Sequence, residues 1–340
     1  MLDQVLFHDL ASRLREKLRG QVLLDVHLSD FSRWRIGGKV PLLILPACKE
    51  DILFALALID EIPCPKIVIG DGSNLLFDSA GLNGIVIRIG PPFSHLRIED
   101  TNVWAEAGIW VPNFVKAVGL AGLTGIEHAI GIPGTLGGLV LMNGGSQRKG
   151  IGEHLVSVST VDMHGTVNQI PKAACEFSYR HSSLQAQQLI ILEANFSFQR
   201  DNVERIRREM IEIMASRRAK FPKNYPNCGS VFLSDPKMYD VVGPPGLAIE
   251  KVGLKGERQG GAQISPLHAN FIINLGNARS SDVLWLIHLM RNRVFEETGF
   301  KMDCEVRHVS PEGVMRSAHV AAEICFGETT VSGRGNVKDA

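Results

Sequence analysis

The chain has 340 residues, enough for two to three domains at about 150 residues each. Lys plus Arg and Asp plus Glu stand at 36 each, so the formal net charge is zero and no basic field is available to hold nucleic acid. Hydrophobic residues make up 45% of the chain, which places it among globular proteins and excludes a disordered one.

Cys48, Cys64, Cys175, Cys228, Cys304 and Cys325 form no C-x-x-C and sit beside no close His. A disulfide scaffold and a zinc site are therefore not expected, and no metal is assigned. The longest apolar runs, such as 52–59, are too short to span a bilayer, so no membrane insertion is expected. Asp3, Asp9 and Glu16 interrupt the first twenty residues, which read as an amphipathic helix and not as a secretory signal. The expected address is the cytoplasm, with reduced thiols.

In chain order, Leu2, Val5, Leu6, Leu10 and Leu14 recur near helical spacing and predict a surface helix over 2–18. A short buried strand is expected at 41–46, a helix at 49–61, a strand at 66–70 and another at 84–89. That rhythm predicts an α/β unit over the first ninety residues. Pro91 and Pro92 mark a boundary. A strand near 103–108 and a helix over 112–120 follow, and then nine glycines fall between 119 and 145. Such density builds a core poorly but lets backbone approach another molecule closely. Strands are expected near 155–162 and 189–198, a charged linking helix over 203–219, a short helix at 246–252 and a strand at 271–274. Ser280, Ser281 and Asp282 suit the cap of a helix that ends before Gly299, and a last strand is expected near 304–309. The domains expected are 1–95, 96–200 and 201–310, followed by a partly ordered tail over 311–340.

Six segments carry possible chemistry. In Gly70-Asp71-Gly72-Ser73-Asn74-Leu75 a strand enters a tight turn whose amides and hydroxyl suit an anion, although the same residues suit any strand-end turn. In Gly131-Ile132-Pro133-Gly134-Thr135-Leu136-Gly137-Gly138 a glycine loop leads into a short apolar helix, as a diphosphate or a flat ring would require; close helix packing is the alternative. Tyr179-Arg180 offers a planar fork for a carboxylate, and Ser230 in Asn227-Cys228-Gly229-Ser230 offers a hydroxyl on a turn. His268 and Asn270 flank a strand entry. Glu305 is a carboxylate in an apolar setting that would raise its pKa, or else a partner of Arg307.

As an ordered set these segments resemble the UDP-N-acetylenolpyruvoylglucosamine reductases. The resemblance begins at Arg35-Ile36-Gly37-Gly38, reaches about Val309, and is closest to the shorter subtype that lacks a tyrosine loop. It implies an α+β protein: a two-subdomain FAD-binding fold of the vanillyl-alcohol-oxidase (PCMH) type with a third α+β substrate-binding domain. It implies FAD as cofactor, NADPH as hydride donor, a nucleotide-sugar substrate and a monomer. Ser230, Arg180 and Glu305 match the catalytic positions. Gly70, Asp71, Gly72, Ser73, Asn74, Leu75, Gly131, Ile132, Gly134, Thr135, Gly137 and Gly138 match the cofactor positions, and Tyr179, Asn227, His268 and Asn270 fall on the substrate side.

Four departures from the family pattern stand out. Asp71 replaces a glycine of the phosphate turn, Gly144-Gly145-Ser146-Gln147 replaces Ala-Gly-Ala-Tyr, and His181 replaces an Asp. Leu233-Ser234-Asp235-Pro236 replaces a segment with a substrate-side Lys, for which Lys223 or Lys237 are candidate substitutes. These departures leave two alternatives open: a divergent flavin-dependent paralogue with another substrate, and an idle nucleotide-binding protein.

Overall fold

The computed structural model describes residues 4–327. The first sheet has four strands. Gln21–His27 runs antiparallel to Lys39–Leu45, which runs parallel to Ile85–Arg88, which in turn runs parallel to Lys66–Ile69. Val40, Leu42, Leu43 and Ile44 are all buried, as expected of a strand covered on both faces. Helix Gln4–Arg15 and helix Lys49–Ile59 supply cover. Ile52, Ala55, Leu56 and Ile59 form the inward face of the second helix, at helical spacing. Strand Gln21–His27 was not expected from the sequence, because Asp25 and His27 blur its alternation. Buried Asp51 accepts the amides of Arg19, Gly20 and Ala47 and so fixes the turn into this strand. An Asp51→Ala change costs about 1–3 kcal/mol for each amide that water cannot then reach.

The second sheet has five antiparallel strands, in the order Val167–Pro171, Leu155–Asp162, Leu189–Ser197, Asn102–Glu106, Leu96–Glu99. Helix Val111–Leu120 packs on it through Phe114, whose ring meets those of Phe196 and Phe198. One continuous core joins this sheet to the first, running from Phe7 to Met210.

A second core gathers residues from 228 onward around helix Ser280–Thr298, with the short sheet Arg258–Gln259, Ala262–Ile264, Ile272–Asn274. Two devices tie it to the first sheet's region. Trp34, fully buried, belongs to this distant core; its indole donates to the Ile272 carbonyl at 2.7 Å, and Asn274 donates to the Trp34 carbonyl at 2.8 Å. Arg307–Val309 pairs in parallel with Leu75–Phe77, the strand that leaves the Gly70 turn.

The stretch 311–340, expected to be a partly ordered tail, opens with strand Met315–Ser317, paired with Arg307–Val309, and then helix Ala318–Phe326. Ala318, Ala321 and Ala322 are small enough to seat that helix against Ser280–Thr298, so one face of it belongs to this core. Residues 328–340 of the expected tail lie outside the described ones. No described helix is long and apolar enough to cross a membrane.

Candidate active site

The 70–75 turn and the 131–138 loop pack against each other and together line one large cleft. A Cβ on Gly70 would collide with the Thr135 hydroxyl, and a Cβ on Gly134 would lie 3.1 Å from Ser73 Oγ. Gly72 has φ +64 and Gly134 φ +145, so both need the freedom of glycine. The cleft has a volume of about 1190 Å³, more than the roughly 300–1,000 Å³ of a pocket for one ligand. It holds room for a cofactor and a substrate together.

The chain is neutral, but the cleft is not. Arg33, Arg35, Arg88, Arg180, Arg217, Arg218, Arg307 and Lys223 line it, against Asp30, Asp71 and Glu305. Such a surplus of cations suits a ligand rich in phosphate. Arg217 has no ion-pair partner among the described residues, and burial pushes its guanidinium pKa down. Burial does the same to Arg307, whose Nη2 donates to Gln185 Oε1 at 2.6 Å. Two cations held without counter-ions among the described residues leave the site ready for an anion.

Arg180, Ser230 and Glu305 come from distant stretches and line this same cleft. Arg180 tops a turn closed by the Ser178–His181 bridge, at φ +54. His181, where the family pattern has Asp, leaves that turn intact. Asn143 ties the turn to the glycine loop: its side chain donates to the Ser178 carbonyl at 2.7 Å and accepts from Gly152 at 3.0 Å. Arg180 Nη2 donates to the Gly145 carbonyl at 2.7 Å. Its Nε lies 2.8 Å from Glu305 Oε1, an ion pair without the alignment of a hydrogen bond. Burial raises the Glu305 pKa, and Arg180 opposes the rise. Ser230 follows Gly229, at φ +80, and the next residue, Val231, accepts the Glu305 amide at 2.9 Å. That bond and the neighbouring Phe232–Cys304 bridge set Ser230 and Glu305 on adjoining segments. The Ser230 hydroxyl makes no hydrogen bond with another described residue.

The comparisons with known proteins agree with this geometry. Residues 40–170 match the FAD binding domain family, and residues 221–309 match the C-terminal domain of UDP-N-acetylenolpyruvoylglucosamine reductase. UDP-N-acetylenolpyruvoylglucosamine reductase 1 of Corynebacterium glutamicum is 46% identical over 314 residues, covering 92% of this chain and 94% of that protein. The chain belongs to the UDP-N-acetylenolpyruvoylglucosamine reductase family. It is a flavin-dependent oxidoreductase of the PCMH-type α+β fold. The reductase of Heliobacterium modesticaldum is 36% identical over 303 residues, covering 89% of this chain and 95% of that one. The crystal structure of the Thermus caldophilus reductase superposes with a TM-score of 0.70 at 31% identity, over 86% of this chain and 99% of that one.

Within this reductase framework the expected site residues divide. Gly70 through Leu75, Gly131, Ile132, Gly134, Thr135 and Gly138 all line the cleft. Gly137 does not: its amide donates to the Ala107 carbonyl at 2.8 Å, and a Cβ there would lie 2.9 Å from Ala107 Cβ. Its smallness serves close packing of helix Leu136–Leu141 on the sheet, so its assignment to the cofactor is corrected. Asn227 lines the cleft, but its amide donates to the Pro222 and Tyr225 carbonyls and its oxygen accepts from Gly229. It shapes the loop ahead of Ser230. Asn270 and His268 do not reach the cleft. Asn270 exchanges two hydrogen bonds with the Phe232 backbone, at 2.9 and 3.0 Å, and pins the Ser230 segment from behind. The His268 ring packs against Phe221 and Phe271, and burial pushes its pKa down. Tyr179, 52% exposed, also lies outside the lining; Arg180 stacks on its ring at 5.2 Å, and its hydroxyl accepts from Ser234 N at 3.4 Å.

Of the two lysines considered for the missing charge, Lys223 lines the cleft and Lys237 does not. The basic set around the turn was not expected. Arg33 and Arg88 carry no motif of their own. Arg217 did have a signal: Met210, Met214, Arg217 and Phe221 repeat at steps of four, three and four, one face of helix Val203–Lys220. That face turns inward, and the high charge of the helix had suggested only a linker.

Proposed function

We propose that this cleft reduces the enolpyruvyl group of UDP-N-acetylglucosamine enolpyruvate, giving UDP-N-acetylmuramate, with NADPH as hydride donor and FAD held along the glycine walls. The observation that carries the reading is the convergence of Arg180, Ser230 and Glu305 on one cleft with the 70–75 and 131–138 loops. Gly70 to Leu75, Gly131, Ile132, Gly134, Thr135 and Gly138 would hold the cofactor; the spare cations suit its diphosphate and the open glycine faces suit a flat ring. When bound, FAD supplies the hydride chemistry that side chains lack.

The chain's own residues do the rest. Hydride added to the terminal carbon of an enol ether leaves negative charge on the adjacent carbon and its carboxylate. Arg180 stabilises that charge, with its guanidinium already oriented by the Gly145 carbonyl. Glu305 in its protonated form donates a hydrogen bond to the same carboxylate, and its burial favours that form. The Ser230 hydroxyl has no other described partner and delivers the proton to the carbon. Lys223 faces the substrate phosphates in place of the family's usual Lys. One chain supplies every group in these roles, so a monomer suffices, working in the cytoplasm where NADPH is at hand.

An anaerobic titration tests the reading. The purified protein carries flavin absorbance, NADPH bleaches it, and the enolpyruvyl nucleotide sugar restores it. Bleaching without restoration by this sugar would favour the paralogue with another substrate.

A further inference from the structure

Asp71 places a carboxylate inside a turn that, on the reading above, receives a diphosphate. Its surroundings show what it does there. Arg33 Nε contacts Asp71 Oδ2, and Arg88 Nη2 lies 4.0 Å from Asp71 Oδ1. The two guanidinium groups are thus gathered by the two oxygens of one carboxylate. Each also rests on an aromatic ring: Arg33 over Trp110 at 4.6 Å, and Arg88 over Phe31 at 5.1 Å. Arg88 Nε further contacts the Gly70 carbonyl at 3.4 Å. Arg33, Asp71 and Arg88 all line the cleft.

The cluster carries two positive charges and one negative. Arg has five N–H donors in a fixed fork, so a contact with Asp71 leaves most donors of each fork free. Long cationic side chains near a phosphate site usually give up rotamer freedom when the ligand arrives. Here the carboxylate and the rings have already fixed them.

We propose that Asp71 is a positioning residue that braces Arg33 and Arg88 as a preset pair of cations for the diphosphate bridge of FAD. This rests on the reading that the diphosphate lies at the 70–75 turn. The proposal opposes the simplest electrostatic expectation in sign. A carboxylate acting only as a like charge weakens FAD binding, so its removal tightens binding. A bracing carboxylate does the reverse.

The test uses the full-length chain freed of flavin, titrated with FAD and with riboflavin, which lacks the diphosphate. Asp71→Asn weakens FAD about tenfold and leaves riboflavin within about twofold, as expected where the preset cations meet only the phosphates. Arg33→Ala weakens FAD less in the Asp71→Asn background than in the unaltered chain, because part of what Arg33 contributes depends on the brace; equal losses in the two backgrounds overturn the proposal. Asp71→Glu recovers part of the loss. Should Asp71→Asn not fold, Arg33→Lys serves in its place: a point charge lacks the fork, and FAD binding falls while riboflavin binding holds. Unchanged or tighter FAD binding by Asp71→Asn overturns the proposal, as does an equal loss for both flavins. If the unaltered chain binds FAD no more tightly than riboflavin, the diphosphate reading itself fails and takes this proposal with it.

Discussion

The two walls of the cleft are built on different principles. The glycine wall offers backbone turns and a surplus of cations: among the described residues Arg217 and Arg307 stand without carboxylate partners, and Asp71 serves two guanidinium groups at once. The other wall, which adjoins the first through the 3.0 Å bond from Asn74 Nδ2 to the Glu305 carbonyl, offers side chains that are already paired, since Arg180 Nε lies 2.8 Å from Glu305 Oε1. An anion can settle on the first wall without breaking anything. A carboxylate arriving at the second must compete with Glu305 for Arg180. One wall is made for a resident group and the other for a visitor, and changes at each should separate accordingly.

The largest separation is expected at Ser230. Its hydroxyl sits on the visitor's wall and touches no cofactor residue. Ser230→Ala should leave bleaching by NADPH at the unaltered rate and slow reoxidation by the enolpyruvyl sugar by about two to four orders of magnitude, the usual worth of a positioned proton donor. Rapid mixing resolves the two half-reactions. Equal slowing of both would remove Ser230 from the proton-donor role and erase the distinction between the walls.

The same division explains what could be read from residues alone. The glycine wall was legible because its chemistry is backbone chemistry, and turns announce themselves through Gly, Ser and Asn at fixed places: Gly70 to Asn74 and Gly131 to Thr135 all line the cleft. Gly137 failed the same logic because a glycine needed for packing on Ala107 looks identical to one needed for a ligand. On the other wall Arg180, Ser230 and Glu305 were found through their order in the family pattern. Tyr179, Asn227, His268 and Asn270 stand close to them in sequence, which alone suggests contacts. Three of the four lie outside the lining, and the fourth, Asn227, spends its amide on its own loop. Nearness in sequence does not say which way a side chain points. Nor could composition reveal the basic cleft, since charge of both signs averages to zero over the chain while the cations gather on one surface. The parallel pairing of Arg307–Val309 with Leu75–Phe77 joins segments more than two hundred residues apart and leaves no local trace. Strand Met315–Ser317, which depends on that pairing, therefore looks like tail in the sequence.

A second test asks how firmly the glycine wall is held. His128 lies buried behind it: its Nδ1 accepts from Ser146 N at 3.3 Å, its carbonyl accepts the Ser146 hydroxyl, and Ser146 lines the cleft. With Nδ1 accepting, the ring proton is on Nε2, which has no partner among the described residues. Burial lowers the His128 pKa from 6.5 to about 4. The folded form therefore binds fewer protons than the unfolded chain between those values, and stability falls as pH drops from about 6.5 to about 4. The loss reaches about 3 kcal/mol at its lower end. Denaturant unfolding at stepped pH should show this slope, and His128→Gln should flatten it. A variant that keeps the full slope would assign the acid sensitivity elsewhere, Asp78 with its His308 bond being the next group to examine.

The smallest expected effect is the one that addresses the visitor's wall directly. Glu305 is buried with its pKa raised, and the one ion pair that restrains the rise is with Arg180. Arg307, two residues on, directs Nη2 to Gln185 and gives no competing pair. When a substrate carboxylate engages Arg180, Glu305 loses part of that restraint and gains a like charge nearby, and both changes raise its pKa further. Binding is then coupled to uptake of a proton. The sign follows: over the range between the Glu305 pKa values of the free and occupied sites, affinity for the sugar falls as pH rises, by at most about tenfold per pH unit. Calorimetric titration with the enolpyruvyl sugar, in buffers of different ionisation enthalpy, measures the uptake. Uptake should peak, at up to one proton, between the free-site and occupied-site pKa values and vanish on either side, and Glu305→Gln should abolish both the uptake and the slope. FAD binding should show neither, because the glycine wall surrenders no ion pair when its ligand arrives. Proton uptake of the same size on FAD binding would mean that the two walls share one electrostatic response after all.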